Sequence, residues 1–183
     1  MNVNHQIIIA GFGGQGVMLI GTLLTYAGMR EGKHVSWLPS YGPEMRGGTA
    51  NCSVCISDAP IASPVVTEPT AVIAMNLPSY AKFSKILVAG GSLIINSSLV
   101  NAENIREDIK AYHIPANDEA ANLGSERAAN MVCLGGLLGV EDIVSIDTVI
   151  EALPEVIQER YHHLLDLNAE ALRRGYEMVR RIK

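Results

Sequence analysis

Hydrophobic residues fall into short runs separated by glycine, proline and polar stretches, and that rhythm predicts alternating strands and helices. Gln6 to Ala10 is a nearly continuous apolar run, as in a parallel strand buried on both faces. Val17, Ile20, Leu24 and Ala27 then recur at helical spacing from Val17 to Met29, and Glu31-Gly32-Lys33 ends that helix. His34 to Leu38 reads as a second strand closed by Pro39, "ANCSVCIS" as a third, and Ala71 to Met75 as a fourth. "NLPSYAKFSKIL" is a helix with Pro78 in its first turn, and "GSLIINSSLV" is a fifth strand after Gly90-Gly91. The second half is less regular: "NIREDIKAYHIPA" is charged and mixed. "ERAANMVCLGGLLGV" predicts an apolar helix whose small residues permit close approach of a neighbour. Pro154 precedes a long amphipathic stretch with Ile157, Tyr161, Leu164, Leu172, Tyr176 and Val179 near one face. The sum is one Rossmann-like, doubly wound α/β domain over residues 1–183, with a mostly parallel sheet and a C-terminal helix.

Candidate chemistry begins where the first strand meets the first helix. Gly11, Gly13 and Gly16 satisfy G-x-G-x-x-G in that strand–turn–helix context. Such glycines allow a tight turn and close approach of a phosphate, and the helix start offers unpaired N–H groups with a partial positive charge. Gln15 adds a side-chain amide able to donate to a phosphate or carbonyl. The plainer alternative is that the glycines serve only the turn and its packing. A dinucleotide fold also needs Asp or Glu about 20 residues on, at the end of the second strand, to hold ribose hydroxyls. No carboxylate occurs between Gly32 and Glu44, so ordinary NAD binding is disfavoured.

The loop "SYGPEMRGGTA" follows that second strand. Tyr41-Gly42-Pro43 makes a constrained turn, Glu44 and Arg46 stand two residues apart, and Gly47-Gly48 lets backbone lie against another surface. Buried in a complex, the rigid and always charged fork of Arg46 would suit a phosphate or carboxylate. A surface loop with one ion pair is the plainer reading.

With "GFGGQGV" and "SYGPEMRGGTANCSV" in one chain, the sequence closely resembles the gamma subunit of 2-oxoacid:ferredoxin oxidoreductases, a unit also found fused in single-chain pyruvate enzymes. The resemblance extends over essentially the whole chain, including "LGSERAANMVCLGGLLG" and "NAEALRRGYE". It implies a subunit, not catalytic alone, of a complex that oxidatively decarboxylates a 2-oxoacid with coenzyme A to acyl-CoA, CO2 and reduced ferredoxin. It further implies alpha and beta (thiamine-binding) subunits and a ferredoxin-like delta subunit as partners, which carry the thiamine diphosphate and the iron–sulfur clusters. The gamma unit is associated with coenzyme A, so Gly11, Gly13, Gly14, Gln15 and Gly16 become expected phosphate or pantetheine contacts. Arg46 and Asn130 become expected polar contacts near the coenzyme or a subunit interface. The substrate stays open among 2-oxoacids, with a lean towards 2-oxoglutarate. Two readings stand beside this one: a stand-alone NAD(P)-dependent oxidoreductase, and a purely structural subunit with an empty glycine turn.

Composition narrows these choices. Hydrophobic residues make up 48% of the 183 and charged ones 18%, an apolar balance that predicts surface buried against partner chains. A net charge of −5 without a basic face argues against nucleic acid. Arg173, Arg174, Arg180 and Arg181 fit a solvated helix face. There is no leader-like segment and no apolar run near the ~20 residues a membrane helix needs, so the expectation is a cytoplasmic protein with no membrane role. Cys52-x-x-Cys55 invites a redox or metal reading, but alternation along a strand points the two sulfurs to opposite faces, and Cys133 lies in an apolar helix. The expectation is three core thiols and no metal site. His162-His163 are helix neighbours without the i, i+4 spacing of a metal pair. No catalytic residue is expected in this chain.

Overall fold

The computed structural model describes residues 4–41 and 49–181. Strand β1 (Asn4–Phe12) lies in the middle of a six-stranded sheet. Ile7 and Ile9 point to one face and Ile8 and Ala10 to the other, all buried, so a continuous apolar run marks a strand covered on both sides. Helix α1 (Val17–Arg30) follows, then β2 (His34–Tyr41) and β3 (Thr49–Ser57). The remaining order is β4 (Ala71–Ala74), α2 (Leu77–Phe83), β5 (Ser92–Asn96), β6 (Lys110–Ile114), α3 (Ala116–Asn122), α4 (Ala129–Val140), α5 (Ile146–Val156) and α6 (Leu165–Arg180). Two 3-10 turns, Glu126–Ala128 and Glu159–Leu164, precede α4 and α6.

The sheet order is β2-β3-β1-β4-β5-β6. Strands β1, β4, β5 and β6 pair in parallel, and β3 runs against both β1 and β2. The sheet is therefore mostly parallel, as the sequence predicts, but β3 is wedged between β1 and β2. Helices α1, α4, α5 and α6 cover the face of Ile7 and Ile9. The face of Ile8 and Ala10 is closed by α2, through Phe83, and by connecting segments that supply Leu87 and Val100.

Three local expectations are corrected. Pro39 does not close the second strand but sits within β2, opposite Cys52; β2 is an edge strand, where a missing donor is tolerated. The charged segment before residue 116 holds β6, whose Lys110 and His113 are exposed because it lies at the other sheet edge. Pro154 precedes the amphipathic stretch as expected, but it does so from inside the end of a separate helix, α5. The amphipathic stretch after it is divided by the Glu159–Leu164 turn, and His162 there bonds through Nε2 to the Ile157 carbonyl at 2.8 Å.

Helices α4 and α6 touch backbone to backbone. A Cβ on Gly135 would run into the Leu172 carbonyl, and one on Gly175 into the Val132 carbonyl. The small residues of the apolar helix thus let a second helix close over it.

The cysteines lie as the alternation predicts. Cys52 belongs to the α1 face and Cys55 to the opposite one, both buried. Burial pushes the Cys52 and Cys133 thiols up to about 12. Thiolate is the reactive form, so the native protein at pH 8 is expected to label poorly with iodoacetamide at both positions and to label fully once unfolded. Rapid native alkylation of Cys133, read by peptide mass, would contradict this burial.

Candidate functional site

The turn between β1 and α1 is built from four residues, Gly13 to Gly16. Gly16 occupies the N-cap of α1 with φ +74°, no side chain caps the helix, and no acidic residue stands in its first turn. The left-handed backbone favours glycine, and a Cβ here would also collide with the Asn130 amide. Gly14 has φ +97° but faces open space. Gly11 stands inside β1, opposite Ala50. Its missing side chain leaves room for the Gln15 amide, whose oxygen would lie 2.7 Å from a Cβ there.

Two amide side chains hold this turn. Gln15 Oε1 accepts from the Phe12 N–H at 2.6 Å, and its Nε2 donates to the Met75 carbonyl at 3.3 Å. The turn is thereby tied to the end of β4. On the other side, Asn130, only 3% exposed, donates from Nδ2 to the Gly16 carbonyl at 3.2 Å and accepts from the Met131 N–H at 2.9 Å. Both amide side chains expected to meet a ligand already have their polar atoms engaged by backbone.

Topology gives the turn its place. Helix α1 leaves β1 towards one face and α2 leaves β4 towards the other, so the carboxyl ends of β1 and β4 flank the switch point where open α/β sheets bind ligands. A pocket of about 220 Å³ opens there, lined by Gly14, Gln15, Met75, Asn117, Arg127 and Asn130 with Glu126 and Ala129. Gly14, Gln15 and Asn130 are thus brought together, while Gly11, Gly13 and Gly16 shape the turn behind them. Arg46 lies outside the described residues.

Sequence reasoning missed Arg127 and Asn117, and also Asn76 and Asn96. Asn76 stands two residues past the buried strand β4 and Asn96 ends β5; both are almost fully buried and keep Asn76 Nδ2 and Asn96 Oδ1 without a partner. An asparagine at the end of an apolar run, twice over ("VIAMN", "LIIN"), is the signal that could have found them. Asn96 Nδ2 donates to Asn117 Oδ1 at 2.8 Å and so supports the pocket from below.

The wedge of β3 bears on the nicotinamide reading. It moves the end of β2 one strand further from the glycine turn, about 4.8 Å, away from where a ribose-holding carboxylate would be useful. Among the described residues no His, Cys, Asp and Glu cluster could hold a metal ion, and no helix is long and apolar enough to cross a membrane.

Known proteins give this geometry relatives. The ketoisovalerate oxidoreductase subunit VorA of Methanothermobacter thermautotrophicus is 36% identical over 96% of this chain, and the match takes up 36% of the relative's length. The chain therefore spans about a third of that protein. The keto/oxoacid ferredoxin oxidoreductase gamma subunit of Geobacter sulfurreducens superposes with a TM-score of 0.81 at 29% identity, covering 96% of this chain and 98% of that one. The 2-oxoglutarate:ferredoxin oxidoreductase of Magnetococcus marinus, a structure with 2-oxoglutarate, coenzyme A and succinyl-CoA bound, superposes with a TM-score of 0.88 at 26% identity over 98% of this chain and 31% of its own. Residues 6–178 match the description "Pyruvate ferredoxin/flavodoxin oxidoreductase", and by that match the chain belongs to this family.

Proposed function

We propose that this chain is the gamma-type unit of a 2-oxoacid:ferredoxin oxidoreductase and that the pocket at its glycine turn contacts coenzyme A. The observation that carries the reading is the superposition of 98% of the chain on a coenzyme A-bound 2-oxoglutarate enzyme, together with a pocket at the switch point of the same fold. The residues fit such a ligand. The first turn of α1 has free N–H groups and no competing carboxylate, the backbone of Gly14 is open to close approach, and Asn117 and Arg127 supply polar partners. Coenzyme A supplies the thiol that accepts the acyl group; this chain binds and orients it.

The partners are longer or separate chains that hold thiamine diphosphate and iron–sulfur clusters, namely alpha, beta and ferredoxin-like delta subunits, working in the cytoplasm. With Cys52 and Cys55 on opposite faces of the sheet and Cys133 in a helix, an iron–sulfur cluster belongs on another chain. 2-Oxoglutarate is the favoured substrate within the 2-oxoacid class. Pull-down of the chain from its native cytoplasm, followed by mass spectrometry, is expected to recover a thiamine-binding and an iron–sulfur subunit. Recovery of a monomer or homodimer alone would sink the proposal.

A further inference from the structure

Strand β2 is an open edge of the sheet, and the hydrogen-bond alternation shows which of its main-chain groups are free. The Gln6 and Ala10 carbonyls accept from the Thr70 and Met75 N–H groups, so even residues of β1 turn towards β4 and odd ones towards β3. Carried through the registers of Ile9 with Cys52 and Ser53 with Leu38, this points Ser36 and Leu38 inward to β3, and Val35, Trp37 and Pro39 outward. No strand among the described residues pairs with the N–H and C=O groups of Val35 and Trp37. Pro39 offers no N–H, so an added strand ends there. The opposite edge, β6, is guarded by the exposed Lys110, a usual device against strand addition. Around β2 that guard is missing: no Lys, Arg, Asp or Glu falls between Lys33 and Glu44, and Lys33 is itself paired with Asp58 at 3.8 Å. Exposed apolar side chains flank this edge on both faces. Trp37 (38% exposed) and Met29 of α1 (58%) lie on one face and Leu38 (39%) on the other. Met29 adjoins Gly28, which packs against Val35.

We infer that β2 is the seam of a symmetric dimer, in which β2 of a second copy of this chain pairs antiparallel with it about a two-fold axis at Ser36. Val35 of each copy then faces Trp37 of the other, each pair exchanging both N–H···O bonds, and the ladder stops where Pro39 faces Lys33. The Ser36 hydroxyl, without a partner among the described residues, meets the identical hydroxyl across the axis, a cross-strand pair of the stabilising kind. A second copy is the occupant because the free groups match themselves under two-fold rotation, as an isologous interface requires, and no like charges are set against each other. The seam leaves the ligand pocket open. β3 separates β2 from β1, and the pocket at the glycine turn lies beyond β1, towards β4. The dimer is therefore independent of the coenzyme A reading, and in an assembled oxidoreductase it would join two such units.

Analytical ultracentrifugation of the full chain tests this. At about 50 µM the chain is expected to sediment as a dimer that dissociates on dilution, since a short ladder gives modest affinity. Trp37 is the only tryptophan, and its emission should shift to the red over the same dilution range. Val35→Pro removes an outward N–H, and Leu38→Lys and Met29→Lys place charge on the seam; each should raise the dissociation constant about tenfold or more. Leu99→Lys, exposed beyond the end of β5, should leave it unchanged. Val35→Pro also touches the packing on Gly28, so the two lysine variants, at exposed positions, keep the test separate from folding, and their melting temperatures verify it. A parent chain that stays monomeric at that concentration, or a dimer that all three variants leave intact, overturns the seam. Neither result touches the coenzyme A reading, which the pull-down decides.

Discussion

Gly16→Ala is expected to destabilise the protein by about 3 kcal/mol, whereas Gly14→Ala, two residues earlier, costs about 1 kcal/mol. Both glycines hold positive φ, +74° and +97°, and an alanine forced into such backbone loses about 1 kcal/mol. They differ in what surrounds them. Gly14 faces open space, but a Cβ on Gly16 meets the buried Asn130 amide, and overpacking of that kind adds about 2 kcal/mol. It also disturbs the bond from Asn130 Nδ2 to the Gly16 carbonyl. Urea unfolding of the two variants measures the difference. Asn130→Ala combined with Gly16→Ala should cost less than the sum of the single changes, because the collision partner is gone. Equal costs at positions 14 and 16 would show that Asn130 does not grip the turn. On the coenzyme A reading proposed above, Gly16→Ala should also weaken that ligand, since the turn can no longer sit as the pocket requires.

Much of this arrangement was legible in the chain, and the reasons are physical. β1, β4 and β5 are short apolar runs because they are buried on both faces, and the glycine turn between β1 and α1 announced itself by spacing. β6 escaped notice because an edge strand shows solvent on one side and reads as mixed. The wedge of β3 was equally hidden, since "ANCSVCIS" carries no mark of the direction in which it pairs. The site was half legible. Glycine spacing located the turn, but little told that Gln15 and Asn130 would spend their amides on backbone, or that Arg127 would line the pocket beside it. The Oε1 and Oδ1 bonds, to Phe12 and Met131, are local, but the Nε2 bond of Gln15 to Met75 and the Nδ2 bond of Asn130 to Gly16 span 60 and 114 positions.

A second large effect is expected at the seam between α4 and α6. A Cβ on Gly175 falls on the Val132 carbonyl, its carbon at 2.8 Å, and the Gly136 nitrogen is 3.0 Å away. These are backbone atoms of the facing helix, so relief requires the two helices to move apart and the core between them to loosen. The collision is with backbone that cannot rotate away and costs about 4 kcal/mol, above the usual 1–3 kcal/mol or so for overpacking, and the better helix propensity of alanine returns about 1 kcal/mol. Gly175→Ala should therefore lower the melting temperature by roughly 6–12 °C. Arg173→Ala, exposed on the same helix, should stay within about 0.5 kcal/mol of the parent. A thermal melt of each variant decides it. A Gly175→Ala protein as stable as the parent would mean that the helices do not meet at their backbones.

The amide clamps on the glycine turn also bear on kinetics. Gln15 tethers the turn to the end of β4 and Asn130 fastens it to α4, so its backbone has little freedom left to lose when a ligand arrives. A loop that must order itself spends part of its binding energy on conformational entropy. A turn already fixed docks its ligand in one step, near the diffusional rate for a rigid site, and differences in affinity among ligands then lie in how slowly each one leaves.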